Sequence, residues 1–213
     1  MNLENYKYIV VEGPIGVGKT SLAQKLGAQL SAHPFLEQPQ ENPFLEKFYR
    51  DSARYALPTQ LTFLFQRIKQ MRDILQTDLF NTPVISDFLL DKDPLFASLT
   101  LEEDEFNLYQ QLFAQLRPQA PIPDLVIYLQ AGPEVLNERI KKRGVTMENG
   151  ISATYLQRLC DSYSRFFYDY ETAPLLVVNT ENLNPIERQE DFDLLLNHIR
   201  NMRGKREFFK LGE

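Results

Sequence analysis

The sequence predicts an α/β fold, a parallel sheet covered by helices on both faces. Three observations carry this reading. Short apolar, β-rich runs alternate along the chain with longer stretches of helical spacing, and strands buried on both faces read as continuous apolar runs. The first run passes through a glycine-rich turn straight into a helix, the opening of an α/β unit. The 213 residues suit one domain with a single well-buried core, or a domain with a small lid. No repeat, low-complexity stretch or long linker divides them.

Taken in order, Tyr6 to Val11 is the first strand, and Lys19 to Leu30 has the spacing of the first helix. A second helix is expected from Asn42-Pro43, an N-cap residue followed by a proline suited to the first helical position. A third runs from Pro58 to Leu79, its apolar stripe being Leu61, Leu64, Ile68, Met71, Leu75 and Leu79. Pro83 to Ser86 reads as a buried strand closed by Asp87. Thr100-Leu101-Glu102-Glu103 has the form of a capping box and opens a helix to Leu116. Asp124 to Leu129 is the next strand, with a helix through Arg139 after it. The charged stretch Lys141 to Gly150 leads into a helix from Ser152 to Tyr170. Pro174 to Val178 is the last strand expected and Ile186 to Arg203 the last helix. The tail from Gly204 to Glu213 is expected to be loosely ordered.

Composition excludes several classes. At 43% hydrophobic and 24% charged the chain has the balance of a globular protein, not a disordered one. A formal charge of −6 argues against a duplex nucleic-acid binder, which needs a basic face. No apolar run approaches the ~18 residues of a membrane span, and Met1 to Asn5 lacks a signal-peptide layout, so the cytoplasm is the expected location. Cys160 is the only cysteine; an internal disulfide is excluded, and its place beside Leu156 and Leu159 is that of a structural residue inside a helix.

Gly13-Pro14-Ile15-Gly16-Val17-Gly18-Lys19-Thr20 fits the phosphate-loop pattern G-x-x-x-x-G-K-[ST]. The glycines let successive backbone N–H groups curl around phosphate oxygens at a positive helix N-terminus. In that pattern Lys19 reaches the β- and γ-phosphates, and the Thr20 hydroxyl ligates Mg²⁺. The motif follows a strand and opens a helix, as its mechanism requires. Neither N-K-x-D nor D-x-x-G occurs, which sets GTPases aside and leaves kinases and ATPases. Asp87, at the carboxyl edge of the sheet, suits a partner of a metal-bound water or of a substrate hydroxyl.

With these residues in view, the chain resembles the deoxynucleoside kinase family over Tyr6 to Tyr170. The segment Leu36-Glu37-Gln38-Pro39, with Asn42 to Tyr49 after it, is similar to the stretch that follows the family's second strand. The resemblance makes Glu37 the general base on the 5′-hydroxyl and Tyr49 a contact of the sugar 3′-hydroxyl. Gln60 and Arg67, seven apart on one helix face, stand where the family has a base-reading glutamine and an arginine. Arg139 through Arg143-Gly144 resembles the family's lid, whose arginines fold over the transferring phosphate; Glu148 would reach the 3′-hydroxyl. Pro123 to Leu129 looks like the strand leading into the lid helix.

The resemblance implies a P-loop kinase fold with a five-stranded parallel sheet flanked by helices, one domain over residues 1–203 and an arginine-bearing lid over about 139–151. It also implies ATP and Mg²⁺ as cofactors, a deoxynucleoside as the small-molecule partner and a homodimer. Two departures stand out. Where the family has an arginine after the strand-ending acid, this chain has Asp87-Phe88-Leu89-Leu90-Asp91-Lys92-Asp93, with Lys92 the candidate for that charge, and Val145 replaces a further lid arginine. Rival readings are a thymidylate-type kinase, in which Glu37 would repel an anionic acceptor, and a non-catalytic ATP-binding regulatory module.

Overall fold

In a computed structural model, which describes residues 6–76, 82–117, 121–145, 148 and 150–211, the strands form one parallel sheet. Strand β1 (Tyr8–Glu12) lies between β3 (Val84–Ser86) and β4 (Leu125–Gln130), with β2 (His33–Phe35) beyond β3. Strand β5 (Leu175–Asn179) pairs with β4, and β6 (Arg206–Phe209) with β5. Alternation along β1 makes two cores. Ile9 and Val11 face Leu22 and Leu26 of helix α1 (Lys19–Leu30) and Phe192, Leu195 and Ile199 of helix α8 (Gln189–Asn201). Tyr8 and Val10 face the opposite way. Their core includes Leu64 and Ile68 of α3 (Ser52–Gln76), Tyr109 of α5 (Glu103–Leu116), and Leu159 and Phe167 of α7 (Ala153–Tyr168).

Among the described residues the sheet has six strands where five were expected. The sixth lies in the supposedly loose tail, where Arg206 donates to the carbonyls of Tyr168 and Tyr170, at 2.9 and 2.6 Å. Of that tail, residues 212 and 213 lie outside the described residues, as do Met1 to Asn5 and the third helix's expected end, Thr77 to Leu79.

Boundaries moved for local reasons. Helix α2 (Leu45–Arg50) starts after Asn42-Pro43, because the Asn42 amide is drawn onto the Thr59 carbonyl at 3.1 Å and its oxygen takes the Phe44 N–H. Helix α3 starts before Pro58, with Asp51 accepting from the Arg54 N–H at the N-terminus. The capping box belongs to Glu102 and Glu105, since Thr100 ends α4 (Asp93–Thr100), a helix not expected, and turns its hydroxyl onto the Phe96 carbonyl. Helix α6 (Pro133–Arg143) runs past Arg139 to Gly144, which has the positive φ of 68° that ends helices.

Candidate active site

Strands β1 and β3 end side by side, and their carboxyl ends deliver Glu12-Gly13 and Ser86-Asp87 to one edge of the sheet. The loop Gly13 to Thr20 then arches into α1. Two of its glycines are dictated by geometry. A Cβ on Gly13 would collide with the Leu129 carbonyl oxygen, and Gly18 caps α1 with φ 103°. Within the arch the Val17 N–H bonds the Pro14 carbonyl, and the Lys19 ammonium spans the loop to the Gly13 and Pro14 carbonyls, at 2.8 and 3.3 Å. Burial pushes the Lys19 pKa down, and the charge of nearby Lys92 pushes it further.

A cavity of about 160 Å³ opens on one side of the loop. It brings together Ile15, Gly16, Lys19 and Thr20 with Glu37, Tyr49, Gln60, Arg67, Asp87, Arg143 and Glu148. Most of these are tied to one another. The Thr20 hydroxyl donates to Asp87, whose other oxygen accepts the Glu37 N–H at 2.7 Å. Burial raises the Asp87 pKa in spite of these two donors. Arg67 donates to Glu37 through Nε at 2.7 Å and through a terminal nitrogen, and pairs with Asp93, which also accepts the Tyr109 hydroxyl at 2.9 Å. Burial works against ionisation of Glu37, but Arg67, then Lys92 and Lys19, outweigh it and hold its pKa at about 2. Gln60 places its amide on the Thr100 hydroxyl at 3.2 Å. Burial, then Tyr155 and Glu148, raise the Tyr49 pKa, so its phenol stays a donor. Gly150 packs against Tyr49, where an added Cβ would stand 3.0 Å from the carbonyl oxygen.

Arg139 does not join this group. It faces a second cavity, of about 420 Å³, on the other side of the loop and is pinned to the Thr180 hydroxyl at 3.0 Å and carbonyl at 2.6 Å. Of the residues that the resemblance places over the transferring phosphate, Arg139 thus stands apart from the Glu37 group, as a wall of the larger cavity. Arg143 lines both cavities and pairs with Glu148. Of the lid, residues 146, 147 and 149 lie outside the described residues.

Sequence reasoning gave no role to Glu12 and Asp93. Glu12 is fully buried and accepts from the Gly13 and Leu89 N–H groups at 2.8 and 2.7 Å, Lys92 Nζ at 3.1 Å and the Tyr163 hydroxyl at 2.9 Å. An acid at the buried end of a central strand, directly before the loop, was the available signal. Phe88, at the position of the missing arginine, is fully buried in the core beneath α3.

The profile for deoxynucleoside kinases matches residues 9–203. The chain belongs to the deoxynucleoside kinase family. The kinase is 30% identical over 202 residues to the deoxyguanosine kinase of Bacillus subtilis, covering 92% of this chain and 97% of that one. It is 32% identical to the deoxyadenosine kinase of Dictyostelium discoideum, over 81% of this chain and 71% of that one. Among solved structures, deoxyadenosine kinase from M. mycoides with bound dATP superposes with a TM-score of 0.80 at 25% identity, covering 90% of this kinase and 98% of that chain. The kinase is a phosphotransferase acting on a deoxynucleoside, and neither the thymidylate-type reading nor the regulatory-module reading is favoured. No helix among its described residues is long and apolar enough to cross a membrane.

Proposed function

We propose that this chain transfers the γ-phosphate of ATP to the 5′-hydroxyl of a purine deoxynucleoside. The observation that carries the reading is the shared cavity in which the Glu37 carboxylate meets the phosphate-loop residues Lys19 and Thr20. In this reading the hydroxyl oxygen attacks the γ-phosphorus, the bond to the β-phosphate oxygen breaks, and ADP leaves. The hydroxyl proton passes to Glu37, which orients the alcohol as it does so. The loop from Gly13 to Thr20 holds the phosphates, with the Lys19 charge over them. Arg143 offsets charge on the transferring group. Tyr49 and Glu148 hold the sugar, and Gln60 presents a donor and an acceptor to the base, with Arg67 fixing Glu37 beside it. Asp87 positions Thr20 and the Glu37 backbone, and Arg139 belongs to the donor side.

Thr20 and Asp87 are hard oxygen donors, held together, and they fit Mg²⁺. Thr20 would hold the ion with Asp87 beside it, and the ion would neutralise phosphate charge when bound. The purine preference is supported by the deoxyguanosine kinase of B. subtilis and the deoxyadenosine kinase of D. discoideum described above. We place the enzyme in the cytoplasm and read it as a homodimer; the dimer reading is supported by the exposed apolar residues Phe65 and Leu75 of α3 and Leu108 of α5.

A coupled ADP-release assay with MgATP over the four deoxynucleosides and their monophosphates tests this. Deoxyadenosine or deoxyguanosine should be the best acceptor; a tenfold preference for dTMP or dAMP would overturn the reading. Lys19→Ala should abolish turnover while circular dichroism stays parental.

A further inference from the structure

The acceptor cavity holds a second buried ammonium that the reaction as described does not use. Lys92 ends the 3₁₀ turn Leu90–Lys92 where α4 begins, and its side chain is 2% exposed. Burying an ammonium costs several kcal/mol unless it is paired and hydrogen-bonded. Its nitrogen lies 3.1 Å from Glu12, 3.9 Å from Glu37 and 5.3 Å from the Phe96 ring centre. Only the first of these is a hydrogen bond. An ammonium carries three donors, so two have no described partner among these neighbours, in a cavity that Lys92 itself lines with Lys19 and Glu37.

Neither carboxylate depends on Lys92 for hydrogen bonds. Glu12 already accepts from Gly13, Leu89 and Tyr163, and Glu37 from Arg67. Lys92 also stands close enough to Lys19 to disfavour its charge. Lys92, with two spare donors, and Lys19, with one, line the same cavity, a lining suited to an anionic oxygen.

We infer that Lys92 is a catalytic residue, donating to an oxygen of the phosphoryl group as it passes to the acceptor. The inference rests on the kinase reading above, which puts the acceptor oxygen within hydrogen-bond reach of Glu37 and hence beside Lys92. Lys92 forms no covalent bond and gives up no proton. The phosphorus–oxygen bond to ADP breaks, that to the 5′ oxygen forms, and the Lys92 charge offsets what develops on the equatorial oxygens.

The competing explanation is that Lys92 only neutralises Glu12. The double variant Lys92→Met/Glu12→Gln removes both charges and separates the two. We expect it to fold but melt below the parent, since the new amide nitrogen must face the Leu89 or the Gly13 N–H, with kcat lower by about 10²–10³ and KM for ATP within about threefold. A folded double variant with kcat within about threefold of the parent would overturn the inference. Should it fail to fold, the parent decides. The ¹⁵Nζ resonance of Lys92, assigned by its loss in Lys92→Arg, should shift on adding MgADP, aluminium fluoride and deoxynucleoside together; an unmoved resonance overturns the inference. Turnover of deoxynucleosides by the parent is measured first, and its absence would defeat the kinase reading itself.

Discussion

Glu37 accepts a proton in the proposed reaction, yet it is gripped by Arg67, and its pKa is held at about 2. So weak a base cannot draw the proton off early. It fits a loose phosphoryl transfer in which the alcohol is oriented first and deprotonated late. Glu37→Gln keeps the shape and loses the acceptor, so kcat should fall by about 10²–10⁴. KM for ATP should hold, since the donor lies beyond the transferring group; parental kcat in steady-state assays would remove Glu37 from this role. The ion pair has a pH signature as well. The folded pKa lies below the unfolded value of about 4.3, so the stability it gives is present in full above that value and is lost as pH falls towards 2. In urea unfolding from pH 6 to pH 2, the stability gap between parent and Glu37→Gln should narrow below about pH 4, and a constant gap would contradict the pairing. Glu37 was legible because it sits in a short local motif. Its bonds to Arg67, and those of Arg67 to Asp93, join residues 30 and 26 apart in sequence, which no local pattern encodes.

Strong local periodicity made most helices and the buried strands legible, and the misses are elements made by tertiary contact. Strand β6 is four residues, Arg206 to Phe209, too short for its alternation to register, and it exists because β5 offers an open edge. His198 stacks on Phe209 at 4.8 Å between ring centres, and Glu207 accepts the Arg203 and Gly204 N–H groups, both at 2.8 Å. Helix α4 was missed because its eight residues follow a 3₁₀ turn without a side-chain cap. Removing residues 204–213 tests how much β6 contributes. The cut exposes the edge of β5 and the apolar surface under Phe209, so stability should drop by about 2–3 kcal/mol, roughly one buried large side chain. Strand β6 is separated from β1 by β4 and β5, so kcat should change by less than about twofold. A truncated chain as stable as the parent in urea would mean that the strand is an ornament of the sheet.

At the scale of the molecule, the phosphate loop divides two cavities and Arg143 faces both. Its position follows from α6 running on to Arg143 before Gly144 turns the chain. The exposed guanidinium is held by Glu148. The smaller cavity reaches Arg143 through Glu148 and Tyr49, and the larger reaches it through Arg139 and Lys142; in the proposed reaction these hold acceptor and donor. A group so placed can contact a phosphoryl group in transit between the cavities more fully than either substrate at rest. Its contribution should then appear in the transition state and little in ground-state binding. Arg143→Ala should lower kcat by about 10²–10³, with KM for ATP and for the deoxynucleoside each within about threefold. Arg143→Lys should recover only part of that loss, because a point charge cannot reproduce the planar fork of donors. Steady-state kinetics with both substrates varied decide the matter. A rise in KM at unchanged kcat would make Arg143 a binding residue of whichever cavity shows the rise.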